Sequence, residues 1–486
     1  MNITTRSAIA FSVSGRYLTL TLQFALTMLL ARLLTPEDIG IYSAGFSVIA
    51  LAHLFRDFGL NQYIIQEKDL TETKIQTTFT LSLIIAWSLG ALIISLAGIA
   101  AEFFDETGVQ RLLYLLAINF FVIPFGSVTL ALLRKNLKFH ITESITFIAT
   151  MLGVIVALWS AYDGAKYLCL AYGAITETSS IVLLSCFFRA KNTKFALSFI
   201  GAKQIFRFGS IVGLGNIATQ FSTSATDMLI ARLLGISALG FFSRALGTFA
   251  IFNNLFASSI QPVILPLLSR DNKDLTKLSN GYLKTVAYSL IFAWPFFSFL
   301  YLYAFETIRV LYGTQWDVAI PLVKILCIAG IFLPFALFSD NLFIALGKPK
   351  VTLKIQLISN TLKLLLVLAA SFHGLEAVCL AIVGYFIARF VSVSIYTKKI
   401  LNIPFYSVLA LARQALPCLC TTILSTVIAT LLMSDHVENI VIRFLILTST
   451  AAVGWLFGLS VSNHPFFEEI KILSKHFMPT TNKTCN

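Results

Sequence analysis

The chain is poor in charge: Asp, Glu, Lys and Arg make up 12% of its 486 residues. A water-soluble domain carries about a quarter, so a fold with this few charges cannot clothe a water-facing surface. Cysteine is also scarce. Seven residues, an odd number, give no disulfide framework, and six of them (Cys169, Cys186, Cys327, Cys379, Cys418 and Cys420) fall in apolar runs. The Cys418/Cys420 pair has no histidine near it to complete a zinc site, so the cysteines read as packing residues and no metal or cofactor is expected. A Gly-x-x-x-x-Gly-Lys-Ser/Thr run is missing, which excludes an ATPase phosphate loop. Polar stretches are short, the longest being the tail of about 21 residues after Pro465, so no soluble domain is inserted.

What fills the chain is hydrocarbon. Hydrophobic residues make up 57% and the mean hydropathy is +0.84. Runs of twenty or more apolar residues recur, the length that crosses a hydrocarbon core of about 30 Å. These read as an all-α polytopic membrane protein of about fourteen spans, near 9–33, 39–63, 75–100, 110–133, 141–161, 167–188, 207–234, 238–265, 282–304, 317–346, 351–372, 375–397, 409–433 and 439–461. The first is too long for a cleaved signal peptide and contains Arg16.

Basic residues set the orientation. With the N-terminus inside, 24 lysines and arginines fall in inner loops and tails, against four in outer loops (Arg111, Lys166, Arg309 and Arg443). Such a bias places both termini in the cytoplasm. It also accounts for the net charge of +13, which is spread over short loops and gathers on no face suited to nucleic acid.

The chain repeats itself. Ala31-Arg32-Leu33-Leu34 returns as Ala231-Arg232-Leu233-Leu234, and the match continues through Gly40/Gly240 and Ser43/Ser243. Lys68-Asp69-Leu70-Thr71 matches Lys273-Asp274-Leu275-Thr276, Ala86-Trp87 matches Ala293-Trp294, and Pro124-Phe125 matches Pro334-Phe335. The period holds six spans. An even number makes both copies cross in the same sense, so two six-helix lobes should be related by a pseudo-two-fold axis along the membrane normal. The lobes are 1–200 and 204–400, followed by two unpaired helices within 401–465 and a cytoplasmic tail, 466–486. Pro124 and Pro334 sit mid-span and predict helix kinks, either static or used in a transport cycle.

At this point the strings resemble a known family. Ala31-Arg-Leu-Leu-Thr-Pro-Glu-Asp-Ile-Gly-Ile-Tyr42, Phe55-Arg-Asp-Phe-Gly-Leu60, Asp227-Met-Leu-Ile-Ala-Arg-Leu-Leu-Gly235 and Tyr312-Gly-Thr-Gln-Trp316 are similar to motifs of bacterial Wzx-type polysaccharide flippases. These belong to the superfamily that also holds multidrug/toxin extruders and peptidoglycan-precursor flippases. The resemblance spans 30 to 350 and is closest to the lipopolysaccharide and exopolysaccharide (colanic-acid-type) branch. It implies a non-enzymatic carrier of the bacterial inner membrane. Such carriers move an undecaprenyl-diphosphate-linked oligosaccharide to the outer leaflet by alternating access, driven by an ion gradient or the membrane potential. A polysaccharide polymerase with its chain-length machinery, and membrane lipids, would be its partners. The competing readings are a cation-coupled multidrug or small-solute antiporter of the same superfamily, and a glycan polymerase, for which the outer loops are too short.

Charges within spans cost about 2.5–3.5 kcal/mol each on insertion scales, so they mark candidate sites. Ten qualify: Arg16, Arg56, Asp57, Glu177, Asp227, Arg244, Lys324, Asp340, Lys363 and Arg389. The basic excess suits a diphosphate, with Lys363 at mid-span as the first candidate and Arg16, Arg389, Arg244 and Lys324 beside it. Asp227, Glu177 and Asp340 are candidates for ion coupling or gating. Asp227 and Arg244 replace Thr27 and Ala44 of the first copy and lie at equal depth on neighbouring helices, which makes an ion pair between them an expectation. Arg56-Asp57 and His53 read as local structure. Arg32 and Arg232 either anchor the outer interface or gate it.

Overall fold

The computed structural model describes residues 3–56, 59–189, 196–257, 274–433 and 437–462, with 260, 264, 268, 466 and 467. All regular structure among them is helical. In chain order the helices are α1 (Ile3–Leu33), α2 (Pro36–Arg56), α3 (Leu60–Gln66), α4 (Glu72–Phe104), α5 (Thr107–Val122), α6 (Pro124–Lys135), α7 (Phe139–Tyr162), α8 (Leu168–Phe187) and α9 (Ala202–Leu234). They continue with α10 (Ile236–Phe252), α11 (Leu275–Leu302), α12 (Ala304–Leu311), α13 (Ala319–Ala336), α14 (Ser339–Ala345), α15 (Pro349–Ala370), α16 (Leu375–Leu401), α17 (Phe405–Met433) and α18 (Ile440–Val461). Of the fourteen expected crossings, eleven are long and apolar enough among the described residues, or twelve if the bent pair α5–α6 counts as one. Helices α1 and α9, of 31 and 33 residues, stand where the first and seventh were expected.

Local chemistry places the helix ends. The Thr71 hydroxyl accepts from the Lys74 amide at the start of α4, and Asp274 accepts from the amides of Thr276 and Lys277 at the start of α11. The same repeated Lys-Asp-Leu-Thr string thus caps through its threonine in one copy and its aspartate in the other. Pro124 has no amide to continue α5, and the chain bends there by 52° into α6. Its counterpart Pro334 lies inside α13, within a single span, Ala319–Ala345. Both copies keep one further feature. The Trp87 indole donates to the Phe121 carbonyl and the Trp294 indole to the Ile331 carbonyl, each at 3.2 Å and three residues before the proline. The matched tryptophans and prolines of the repeat are therefore parts of one device, which gives a carbonyl beside the proline a donor in an apolar setting.

Contacts divide the chain into two compact units. The first comprises 1–244, 311–315 and 367–377; the second comprises 245–310, 316–366 and 378–486. In the second, Leu278, Tyr282, Leu290, Ile291, Phe335, Cys418 and Leu459 form one buried cluster. Small residues set the approach of α17 and α18. A side chain on Gly454 would strike Ser425 and the Thr421 carbonyl, and one on Gly458 would strike Thr421 and Cys418. That glycine pair, four residues apart, draws membrane helices together.

The first unit contains the corner where the repeat meets itself. A Cβ on Gly40 would collide with the carbonyl of Ile236, and a Cβ on Gly240 with the carbonyl of Pro36. Pro36 and Ile236 are equivalent positions, as are the glycines. A contact that recurs with its two sides exchanged is what a two-fold axis produces. One turn on, the Ser43 and Ser243 hydroxyls share a hydrogen bond of 2.7 Å, equivalent residues meeting on that axis. The two copies reach the corner differently. Thr35 and Asp38 bond each other reciprocally at the start of α2, with Asp38 also accepting from the Tyr167 amide, whereas Gly235 turns α9 into α10 at φ +95°. That conformation favours glycine.

Gly40→Ala should lower the thermal midpoint of the detergent-purified protein by the equivalent of about 1–3 kcal/mol, the usual range for overpacking. Gly247→Ala, where a Cβ meets nothing within 4 Å, should leave it unchanged or raised. Equal effects would remove the close approach at the axis.

A second prediction concerns acid stability. Arg309 donates from Nε (3.0 Å) and Nη2 (2.6 Å) to the two carboxylate oxygens of Asp317 between α12 and α13 and holds that carboxyl below the ordinary range. A depressed folded-state value gives stability that is present above about pH 4 and lost as pH falls through the folded value. Asp317→Asn should therefore flatten the decline in thermal midpoint below that pH.

Candidate functional site

The charged candidates gather in two places, one in each unit. In the first unit a cavity of about 230 Å³ is lined by Thr27, Tyr42, Ser43, Ser243 and Arg244 among apolar neighbours. Thr27 is the first-copy counterpart of Asp227, and Arg244 faces the same space. The Arg244 guanidinium lies 5.6 Å from the Tyr312 ring, within range of cation–π attraction. Asp227 is half-buried on α9. Glu177 on α8 accepts a 2.6 Å hydrogen bond from the Thr150 hydroxyl of α7, where Gly153 leaves it room.

Another cavity of about 230 Å³ in the same unit brings Arg56 and Arg134 together with Asn61, Ser82 and Thr178. Arg56 was expected to be local structure; its convergence with Arg134 follows the bend at Pro124, which no spacing reveals. His53 stacks on Phe120 at 4.9 Å, a packing role. Asp57 lies outside the described residues. Arg16 is exposed on α1, one residue from the Gly15 that packs on Glu143. Arg32 and Arg232 are exposed in the last turns of α1 and α9. The carbonyls of Ala31 and Leu34 at the end of α1 both accept from the Gln315 amide, at 2.5 and 3.0 Å.

In the second unit, three candidates from three helices come together. Arg389 (α16) donates from Nη2 to Asp340 Oδ2 (α14) at 2.9 Å and from Nη1 to the Tyr385 hydroxyl at 3.1 Å. Gln356 (α15) donates to the same Asp340 oxygen at 3.2 Å. The Lys363 ammonium lies 5.7 Å from the Tyr385 ring centroid. Behind the cluster, Phe343, Ile355 and Val393 hold α14, α15 and α16 together. Arg389 and Asp340 keep 14% and 26% of their side-chain surfaces, so most of the pair is shielded. Tyr385 was missed from sequence, although it sits four residues before Arg389 on one helix face. Gln356 stands seven before Lys363, also on one face. Lys324 is half-buried on α13 and makes no hydrogen bond or ion pair among the described residues.

The comparisons with known proteins agree on a family. The chain matches the family described as polysaccharide biosynthesis protein over residues 29–321. It belongs to that family. Among relatives, it is 23% identical over 304 residues to the lipopolysaccharide biosynthesis protein WzxC of Escherichia coli, covering 62% of each chain. It is 26% identical over 340 residues to the succinoglycan biosynthesis transport protein ExoT of Rhizobium meliloti, covering 68% of this chain and 67% of that one. The matches thus span just under two thirds of the first relatives' own length. The fold is that of the lipid II flippase MurJ in an inward closed conformation, with a TM-score of 0.74 at 15% identity over 96% of this chain and 100% of that one. An inward-facing MATE-family multidrug resistance transporter matches with a TM-score of 0.66 at 16% identity, over 81% of this chain and 98% of that one.

The Asp340–Arg389 pair invites a double-mutant cycle. Arg389→Ala strands a shielded carboxylate and should cost about 3–5 kcal/mol of stability. Adding Asp340→Asn should recover most of that loss. Thermal unfolding of the four proteins measures the coupling, and additive effects would mean the pair is not formed.

Proposed function

We propose that this family member moves an undecaprenyl-diphosphate-linked oligosaccharide from the inner to the outer leaflet of the bacterial inner membrane by alternating access, with both termini cytoplasmic. One observation carries the reading: two cations on apolar helices meet at one tyrosine, Lys363 near the Tyr385 ring and Arg389 at its hydroxyl, with Asp340 bonded to Arg389. A diphosphate must leave water to cross, and fixed cations in a low-dielectric setting offset that cost. Arginine supplies paired donors to phosphate oxygens, while lysine acts as a point charge. Arg244 beside its cavity, and Arg16 and Lys324, are secondary contacts for the same headgroup. Asp227, Glu177 and Asp340 serve ion coupling or gating. The two repeats, 1–200 and 204–400, are the moving lobes, with 401–465 as an added helix pair. The names of the relatives support a polysaccharide precursor as cargo, and a polymerase would be the consumer of the product.

A multidrug antiporter shares the fold but has no need of paired cations at mid-membrane. Depleting the protein in its source organism should trap undecaprenyl-linked oligosaccharide on the cytoplasmic side. Lys363→Glu, inserted at normal levels, should reduce surface polysaccharide at least tenfold. Unchanged polysaccharide with increased drug sensitivity would replace the flippase reading by the antiporter.

A further inference from the structure

Several buried oxygens gather around Asp340 without a hydrogen-bond partner among the described residues: Asp340 Oδ1, Gln356 Oε1, Ser359 Oγ and Thr352 Oγ1. Ser359 is fully buried and Thr352 keeps 7% of its surface. Thr352, Gln356, Ser359 and Lys363 fall at helical spacings i, i+4, i+7 and i+11, so they form one stripe on α15. Two of the four orphans, the carboxylate and the amide oxygens, can only accept. They lack a donor, which one added proton on Asp340 would supply.

The charged and titratable groups facing Asp340 are Arg389 and Tyr385 on α16 and Lys363 on α15, beyond Tyr385. On α11, Tyr282 is engaged, its hydroxyl donating to the Phe335 carbonyl at 2.9 Å. Arg389 is the group shared between two anions. Its Nη2 holds Asp340 in this structure, and it is also a phosphate ligand in the function proposed above, on which this inference rests. A diphosphate that draws Arg389 away leaves Asp340 shielded and unpaired. A carboxylate in that position takes up a proton rather than stay charged.

We propose that Asp340 and Gln356 form a proton site that fills when cargo diphosphate takes Arg389. The step transfers one proton from hydronium to Asp340 Oδ1, forming an O–H bond and releasing water. The new hydroxyl donates to Gln356 Oε1, so one proton satisfies two orphans. The cluster of Lys363, Arg389 and Asp340 changes from a net +1 to +2, which favours a multiply charged anion. Proton uptake and diphosphate binding are thereby linked, each tightening the other by the same factor.

The site can be tested without cargo. In Arg389→Gln, purified at neutral pH, Asp340 should already carry its proton. Infrared difference spectra should then show a carboxylic acid C=O band that Asp340→Asn/Arg389→Gln lacks and that Gln356→Leu shifts; the double variant also shows whether the protein folds without the pair. No such band would overturn the proton site. The linkage is tested with undecaprenyl diphosphate added to wild-type protein in weak buffer with a pH indicator. Uptake of about one proton per molecule bound, falling to zero in Asp340→Asn, is the expected result. Binding with no uptake, or uptake unchanged in Asp340→Asn, overturns the linkage. A band in Arg389→Gln without any binding by wild type would reject the diphosphate reading and the linkage with it, leaving a proton site of another carrier.

Discussion

Hydrogen-bond partners are scarce inside a hydrocarbon layer, and that scarcity organises this molecule. A polar atom there has no water to fall back on, so each must find a partner within the chain or cost several kcal/mol. Serines and threonines return their hydroxyls to carbonyls of their own helix, as Thr78 does to Lys74 and Thr285 to Gly281. The tryptophans answer carbonyls beside the prolines. Glu177 is met by Thr150. Against this background, the unanswered oxygens of Asp340, Thr352, Gln356 and Ser359 stand out because they gather on Asp340 and one stripe of α15.

The two clusters of charge differ in kind. Arg244 lies over an aromatic ring and lines a cavity. Arg389 is committed to a carboxylate and a phenol, so using it requires an exchange. An exchange can be linked to a second ligand, while a standing cation can only attract.

Much of the architecture was legible from residues alone. Apolar runs and the repeat rest on local or periodic chemistry, which sequence displays directly. The repeat predicted a two-fold relation, and the exchanged contacts of Gly40 and Gly240 supply it. Spacing did not reveal which mid-span charges meet. Asp340, Gln356, Lys363 and Arg389 lie on three helices whose rotations are set by packing among Phe343, Ile355 and Val393. The Arg56–Arg134 cavity was hidden for a similar reason, since it depends on a 52° bend. Nor does one proline predict another: Pro124 breaks its helix, whereas Pro334 is absorbed into one.

The Ser43–Ser243 bond bears on ancestry. Equivalent residues that touch across an axis describe a contact that a six-helix protein makes with a second copy of itself. In such a pairing every substitution appears twice, so an aspartate that suits one side is imposed on the other. Joining the copies into one chain removes that restriction. Thr27 and Ala44 accordingly stand in one copy where Asp227 and Arg244 stand in the other.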